Sequence, residues 1–143
     1  MPSKQTGFTL IEMLVVLAII GLLASLVGPR LFSKVDTSKV QTAQTQVKML
    51  KGAIQTLRLD IGRFPTQSEG LAVLTSPPTS DEIRAKWKGP YLDEALPADP
   101  WGNPYQYSVQ SGSMKPFALY SFGADGKAGG EGIDADVGDL PDH

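Results

Sequence analysis

The chain has 143 residues, 41% of them hydrophobic and 20% charged, with a formal net charge of -2 and no cysteine. That length suits one domain plus whatever the termini carry. After Pro29 stand 12 Lys/Arg against 14 Asp/Glu, which lacks the basic surplus that phosphate binding needs, so nucleic acid is not expected as a partner. The lack of cysteine excludes disulfides, thiolate metal sites and cysteine nucleophiles.

In chain order, Met1 to Gly7 is a polar start with one cation, Lys4. From Phe8 to Gly28 every residue but Glu12 is uncharged and most are apolar. As a helix this run would measure about 31 Å at ~1.5 Å per residue, enough to cross a hydrocarbon core. A buried core helix is a poor reading, because the run is apolar on every face. A removed secretory signal would have an apolar core of about 7–15 residues followed by a small-x-small cleavage site. Here the core is longer, holds an acid and is followed by no Ala-x-Ala. Glu12 is the anomaly, since a charge deep in a bilayer costs on the order of 3 kcal/mol. It either snorkels to the headgroups from the helix end or meets a positive group when helices pack. A cut after Gly7 would create such a group, the amino terminus of Phe8, four residues from Glu12.

The segment Gly7-Phe8-Thr9-Leu10-Ile11-Glu12 resembles the prepilin signal shared by type IV pilins and type II secretion pseudopilins. The resemblance implies a prepilin peptidase that cuts after Gly7 and methylates Phe8, with Glu12 guiding subunits into a growing fibre. It also implies that residues 1–7 face the cytoplasm, that the rest faces the periplasm, and that the apolar helix stays on the mature protein. Charge alone gives no orientation, because Lys4 precedes the span while Arg30 and Lys34 follow it.

Gly28-Pro29 marks either the end of the span or a break inside a longer helix. Beyond it, Val40, Ala43, Val47, Leu50, Ile54, Leu57 and Ile61 recur at alternating spacings of three and four, a narrow helical stripe. Lys39, Gln44, Gln46, Lys48, Lys51, Gln55 and Arg58 fall on the opposite face. The stripe predicts a helix packed on its own small sheet, with a coiled-coil seam as the other reading. Gly62 stops it, with Pro65 just beyond.

Ser68–Leu74 then reads as a short helix closed by Pro77-Pro78, and Ser80–Trp87 as a helical turn or loop. Asp99–Pro104 is a turn cluster. Tyr105–Val109 and Phe117–Phe122 read as strands joined by a hairpin turn at Gln110–Ser113. Two or three strands against one long helix give an α+β head. The expected divisions are a leader over 1–7, a transmembrane and assembly helix over 8–29, an amphipathic helix over 30–61 and the head over 62–143.

From Asp125 to His143 six acids face one Lys, and six glycines fall between Gly123 and Gly138. This is either a solvated tail or a Ca2+ loop, since calcium takes carboxylate and carbonyl oxygens that glycines allow the backbone to turn inward. It is no EF-hand, because Gly138 stands where the third ligand should be, and a single Gly-rich turn builds no repeat roll. An enzyme is not expected. His143 is the only histidine, no phosphate-binding glycine motif is present, and paired carboxylates occur only in the glycine loop.

The segments Gly62–Thr66, Gly70-Leu71, Gly89–Leu92, Asp99–Tyr105 and Tyr120–Gly126 resemble the major pseudopilins of type II secretion systems. The likeness covers nearly the whole chain and favours that family over type IV pilins, whose heads often carry a cysteine pair. It implies a calcium site formed by Asp125 and Asp136, with Asp134, and by the carbonyls of Phe122 and Val137. It departs at Val137–Leu140, where the family carries a Trp near Leu140. It implies a non-enzymatic, single-pass inner-membrane protein that polymerises with copies of itself into a periplasmic fibre driving export of folded proteins across the outer membrane. Minor pseudopilins and the inner-membrane secretion platform are the further partners implied. A type IV pilin, a minor pseudopilin, or a single-pass membrane module that binds a partner through its calcium loop are the rival readings.

Overall fold

The computed structural model describes residues 3–4 and 7–142. Met1, Pro2, Gln5 and Thr6 of the expected leader, and His143, lie outside the described residues.

Helix α1 spans Leu10–Ile61 without interruption, with Pro29 inside it. The helix therefore does not end at Gly28-Pro29, and the pair lies inside a longer helix. The helix begins at Leu10 rather than at the expected Phe8, and the cause is local. Thr9 Oγ1 accepts the Glu12 N–H at 3.2 Å while Glu12 Oε2 accepts the Thr9 N–H at 3.3 Å. This reciprocal capping box satisfies two donors that a helix start leaves open. At the other end Gly62 takes φ +82° and donates its N–H to the Arg58 carbonyl at 2.8 Å. A positive φ is open to glycine at no steric cost, which makes Gly62 the stop.

The chain divides into two compact units, Met1–Asp36 and Thr37–His143. In the first, no described residue is buried, and large apolar side chains such as Leu10, Leu22 and Leu26 stand open. Its most apolar 18-residue window has a mean hydropathy of 2.8, so the helix is long and apolar enough there to cross a membrane.

In the second unit the predicted stripe is the core face. Ala43, Val47, Leu50, Ile54, Leu57 and Ile61 are buried, joined by Ala53, and Val40 is half-buried. Val47, Leu50, Ala53, Ile54, Leu57 and Ile61 pack with Leu71, Leu74, Tyr105, Phe117 and Leu119. Each fully buried Leu or Ile contributes roughly 1.5–3 kcal/mol, so this stripe is the main source of cohesion in the head. A 3-10 turn, Gly70–Leu74, adds Leu71, Val73 and Leu74 to this core, and Ile83 of a short helix α2, Asp81–Lys86, packs against it.

Three antiparallel strands form the sheet: β1 (Gln106–Val109), β2 (Phe117–Ser121) and β3 (Val137–Asp139), in the order β1-β2-β3. Register pairs Tyr107 with Leu119 and Ser121 with Val137. Four local expectations need correction. The hairpin connection runs over residues 110–116 and is longer than Gln110–Ser113. The acidic segment is not all loop, because Val137–Asp139 pairs with β2. Gln46 does not face away from the head but accepts the Tyr105 hydroxyl. Lys51 likewise reaches the head, in an ion pair with Asp139.

Candidate functional site

Two places carry chemistry, the amino end of α1 and the glycine-rich loop between β2 and β3. At the first, Phe8 is 81% exposed and lies with Gly7 and Thr9 outside the helix. The Gly7-Phe8 bond is thus in non-helical, exposed chain. Glu12 sits in the first turn of α1, where a carboxylate also complements the positive end of the helix dipole. Among the described residues the ion pairs join Lys51–Asp139, Arg63–Glu69 and Lys115–Asp142, so Glu12 has no cationic partner there.

The second site is built on the end of β2. Ser121 is buried, and the chain turns at Gly123 with φ +75°. A side chain at Gly123 would meet the Ala135 carbonyl at 2.5 Å and the Ile133 carbonyl at 3.0 Å, so only glycine lets the outgoing and returning arms touch here. The Ala124 N–H closes the neck by donating to the Ile133 carbonyl at 2.9 Å. Gly130, with φ +92°, repeats the close approach against the Asp134 carbonyl.

The predicted ligands are distributed around this neck. Asp125 is exposed and its Oδ1 accepts the Lys127 N–H at 3.0 Å. Asp134 closes the 3-10 turn Gly132–Asp134. Asp136 Oδ2 accepts the Gly129 N–H at 3.0 Å, while its Oδ1 is buried without a hydrogen-bond partner. Phe122 leads into the loop, and Val137 begins β3. Among the described residues no three acidic or histidine side chains are gathered closely enough to hold a metal between them. The orphaned Asp136 oxygen nevertheless fits a cation, because a buried unpaired carboxylate oxygen is costly unless something positive meets it. A hard ion such as calcium prefers oxygen donors of this kind.

The rest of the head carries its own polar contacts. Arg63 grips Glu69 through two hydrogen bonds of 2.8 Å, and Glu69 forms a second capping box with Thr66. The Arg63 hydrogen bonds hold the Glu69 carboxyl down to about 2. Burial pushes Tyr107 up to about 12, so it stays a neutral donor to the Pro65 carbonyl at 2.7 Å. Tyr91 donates to Asp60 at 2.7 Å and stands edge-on to Trp87.

The family model described as type II secretion system (T2SS), protein G, matches residues 30–140. This chain belongs to the type II secretion system protein G family. A second model, the prokaryotic N-terminal methylation motif, matches residues 2–28 and so takes in Gly7, Phe8 and Glu12. The type II secretion system core protein G of Pseudomonas aeruginosa is 46% identical, covering 94% of each chain. That of Vibrio cholerae is 43% identical over 94% of this chain and 91% of its own. Among solved structures, the major pseudopilin of the type 2 secretion system of enterohaemorrhagic Escherichia coli superposes with a TM-score of 0.60. It is 31% identical, over 77% of this chain and 93% of that one.

For this chain the expected α+β pilin-like fold and family therefore stand. Sequence reasoning missed two groups. The capping boxes Thr9-x-x-Glu12 and Thr66-x-x-Glu69 were visible as Thr three residues before Glu. The buried pair Asp99 and Ser121 carried no local signal, since the two lie 22 residues apart.

Proposed function

We propose that this chain is cut after Gly7, methylated on Phe8, and polymerised through α1 into a periplasmic fibre that drives export of folded proteins across the outer membrane. The observation that carries the reading is the acid at Glu12 in the first turn of an uncovered apolar helix, just behind the exposed Gly7-Phe8 junction. Before assembly that helix is solvated by the inner membrane. In the fibre it is solvated by its neighbours, since an apolar surface of this extent needs one cover or the other. Minor pseudopilins and the inner-membrane platform are the further partners in this reading. The head carries no catalytic role in it; its work is shape and stability.

In the same reading the loop takes Ca2+, with Asp136 as the best-supported ligand and Asp125, Asp134 and the Phe122 and Val137 carbonyls as the rest. A bound calcium ion would supply a cationic centre that gathers oxygen ligands and ties the returning arm to β2. The support is the unpartnered Asp136 Oδ1 and the glycine-built neck.

Intact-mass measurement on protein extracted from membranes tests the pathway. The expected result is loss of residues 1–7 with one methyl group added to Phe8. A mature chain that has lost Thr9 to Gly28 would defeat the assembly reading. For the loop, chelation is expected to lower the melting temperature, and an unchanged melting curve would remove calcium from the account.

A further inference from the structure

Asp99 is 4% exposed and Ser121 is 0% exposed, the two buried polar side chains of the core among the described residues. A buried carboxylate is costly, and it is retained only where its oxygens are fully used. Asp99 Oδ1 accepts the N–H of Trp101 at 3.1 Å and of Asn103 at 2.8 Å, which shapes the turn. That task needs one oxygen, and an asparagine could perform it. The second oxygen acts elsewhere: Oδ2 accepts the Ser121 hydroxyl at 2.5 Å.

A carboxylate only accepts, so the Ser121 hydroxyl must spend its proton on Asp99. The oxygen of Ser121 is thereby left as an acceptor, and it takes the Gly123 N–H at 3.1 Å. Gly123 is the neck of the β2–β3 loop, where its missing side chain makes room for the Ala135 and Ile133 carbonyls. Asp136, with its unpartnered oxygen, follows Ala135 directly. The same turn also lies beside the loop further on, with the Asn103 amide 3.4 Å from where a Gly126 side chain would begin.

We propose that Asp99 is a positioning residue for a divalent cation, acting through Ser121 and Gly123 to preset the loop neck before the ion arrives. The proposal rests on the calcium reading of the loop. Preorganised carbonyls bind more tightly because the cost of ordering them is met on folding rather than on binding.

The test uses the full processed chain in detergent, as wild type, Asp99→Asn and Ser121→Ala. Calcium chloride is titrated by calorimetry, melting is followed in calcium and in chelator, and the Gly123 amide is observed by NMR without metal. Asparagine would present a donor to Ser121 and reverse the direction of the relay. The expected result is at least about a tenfold loss of calcium affinity in both variants, a smaller calcium-dependent rise in Tm, and faster Gly123 amide exchange. Equal Tm losses in calcium and chelator with unchanged affinity would show a purely structural role and overturn the proposal alone. Absence of binding by the wild type would overturn the calcium reading and this proposal with it. Should Asp99→Asn fail to fold, Ser121→Ala decides, since it deletes only the hydroxyl.

Discussion

The motif Thr-x-x-Glu closes a reciprocal pair of hydrogen bonds at two places in this chain, Thr9 with Glu12 and Thr66 with Glu69. In the head the carboxylate is completed by a cation from the same chain, the Arg63 fork at 2.8 Å. At the start of α1 the carboxylate caps the helix with no such cation among the described residues, and it borders an apolar span. The contrast separates two uses of one motif. Where the cation is built in, the box is a finished piece of fold. Where it is left out, the box would, in the assembly proposed above, keep an acid poised for a charge supplied by processing or by another subunit.

The sharpest way to break this comparison is to remove both acids and read two properties. Glu12→Ala should be cut normally and keep the melting temperature of the head, while fibre yield falls by about tenfold or more, since a desolvated charge pair exceeds the ~1.4 kcal/mol that a factor of ten represents. Wild-type fibre yield, counted by electron microscopy, would count against a role in assembly. Glu69→Ala should do the reverse within the head, costing about 2 kcal/mol after allowance for solvent screening of a partly exposed pair.

The same pair predicts a pH dependence. Glu69 is depressed from 4.5 to about 2, chiefly by its Arg63 hydrogen bonds. A depressed carboxylate stabilises the fold above its unfolded value and loses that contribution as pH falls toward the folded one. Stability of the head should therefore decline between about pH 4.5 and about 2, and Glu69→Gln should flatten that decline. Urea melts across this window would show it, and a slope unchanged in Glu69→Gln would assign the loss to other acids. The smallest effects belong to the hydroxyls. Thr66→Ala should cost about 1 kcal/mol in the head, and Thr9→Ala should fray the first turn of α1 by a similar amount. Amide exchange at Glu12 and Glu69 separates the two, and an unchanged Glu12 amide would mean that the first box contributes nothing.

Features set by near neighbours in sequence were legible. The 3-4 stripe from Val40 to Ile61 and the stop at Gly62 follow from helical period and from the conformational freedom of glycine. The uncovered span followed from composition alone. Features made by distant pairing were not. Strand β3 is three residues, Val-Gly-Asp, with no alternation to betray it, and it exists because β2 has a free edge to offer. The roles of Gln46 and Lys51 failed for the same reason: the residues that recruit them, Tyr105 and Asp139, lie 59 and 88 positions on. In the loop, acid content and glycine spacing singled out a segment from the sequence, while the particular oxygen left unpaired, on Asp136, is a property of the folded neck.

The late position of β3 has a consequence for biogenesis. Until residues 137–139 have been made, β2 is an edge strand whose outer N–H and C=O groups have no partner. A nascent head tethered at the bilayer beside other nascent heads would be open to edge-to-edge mispairing during that interval.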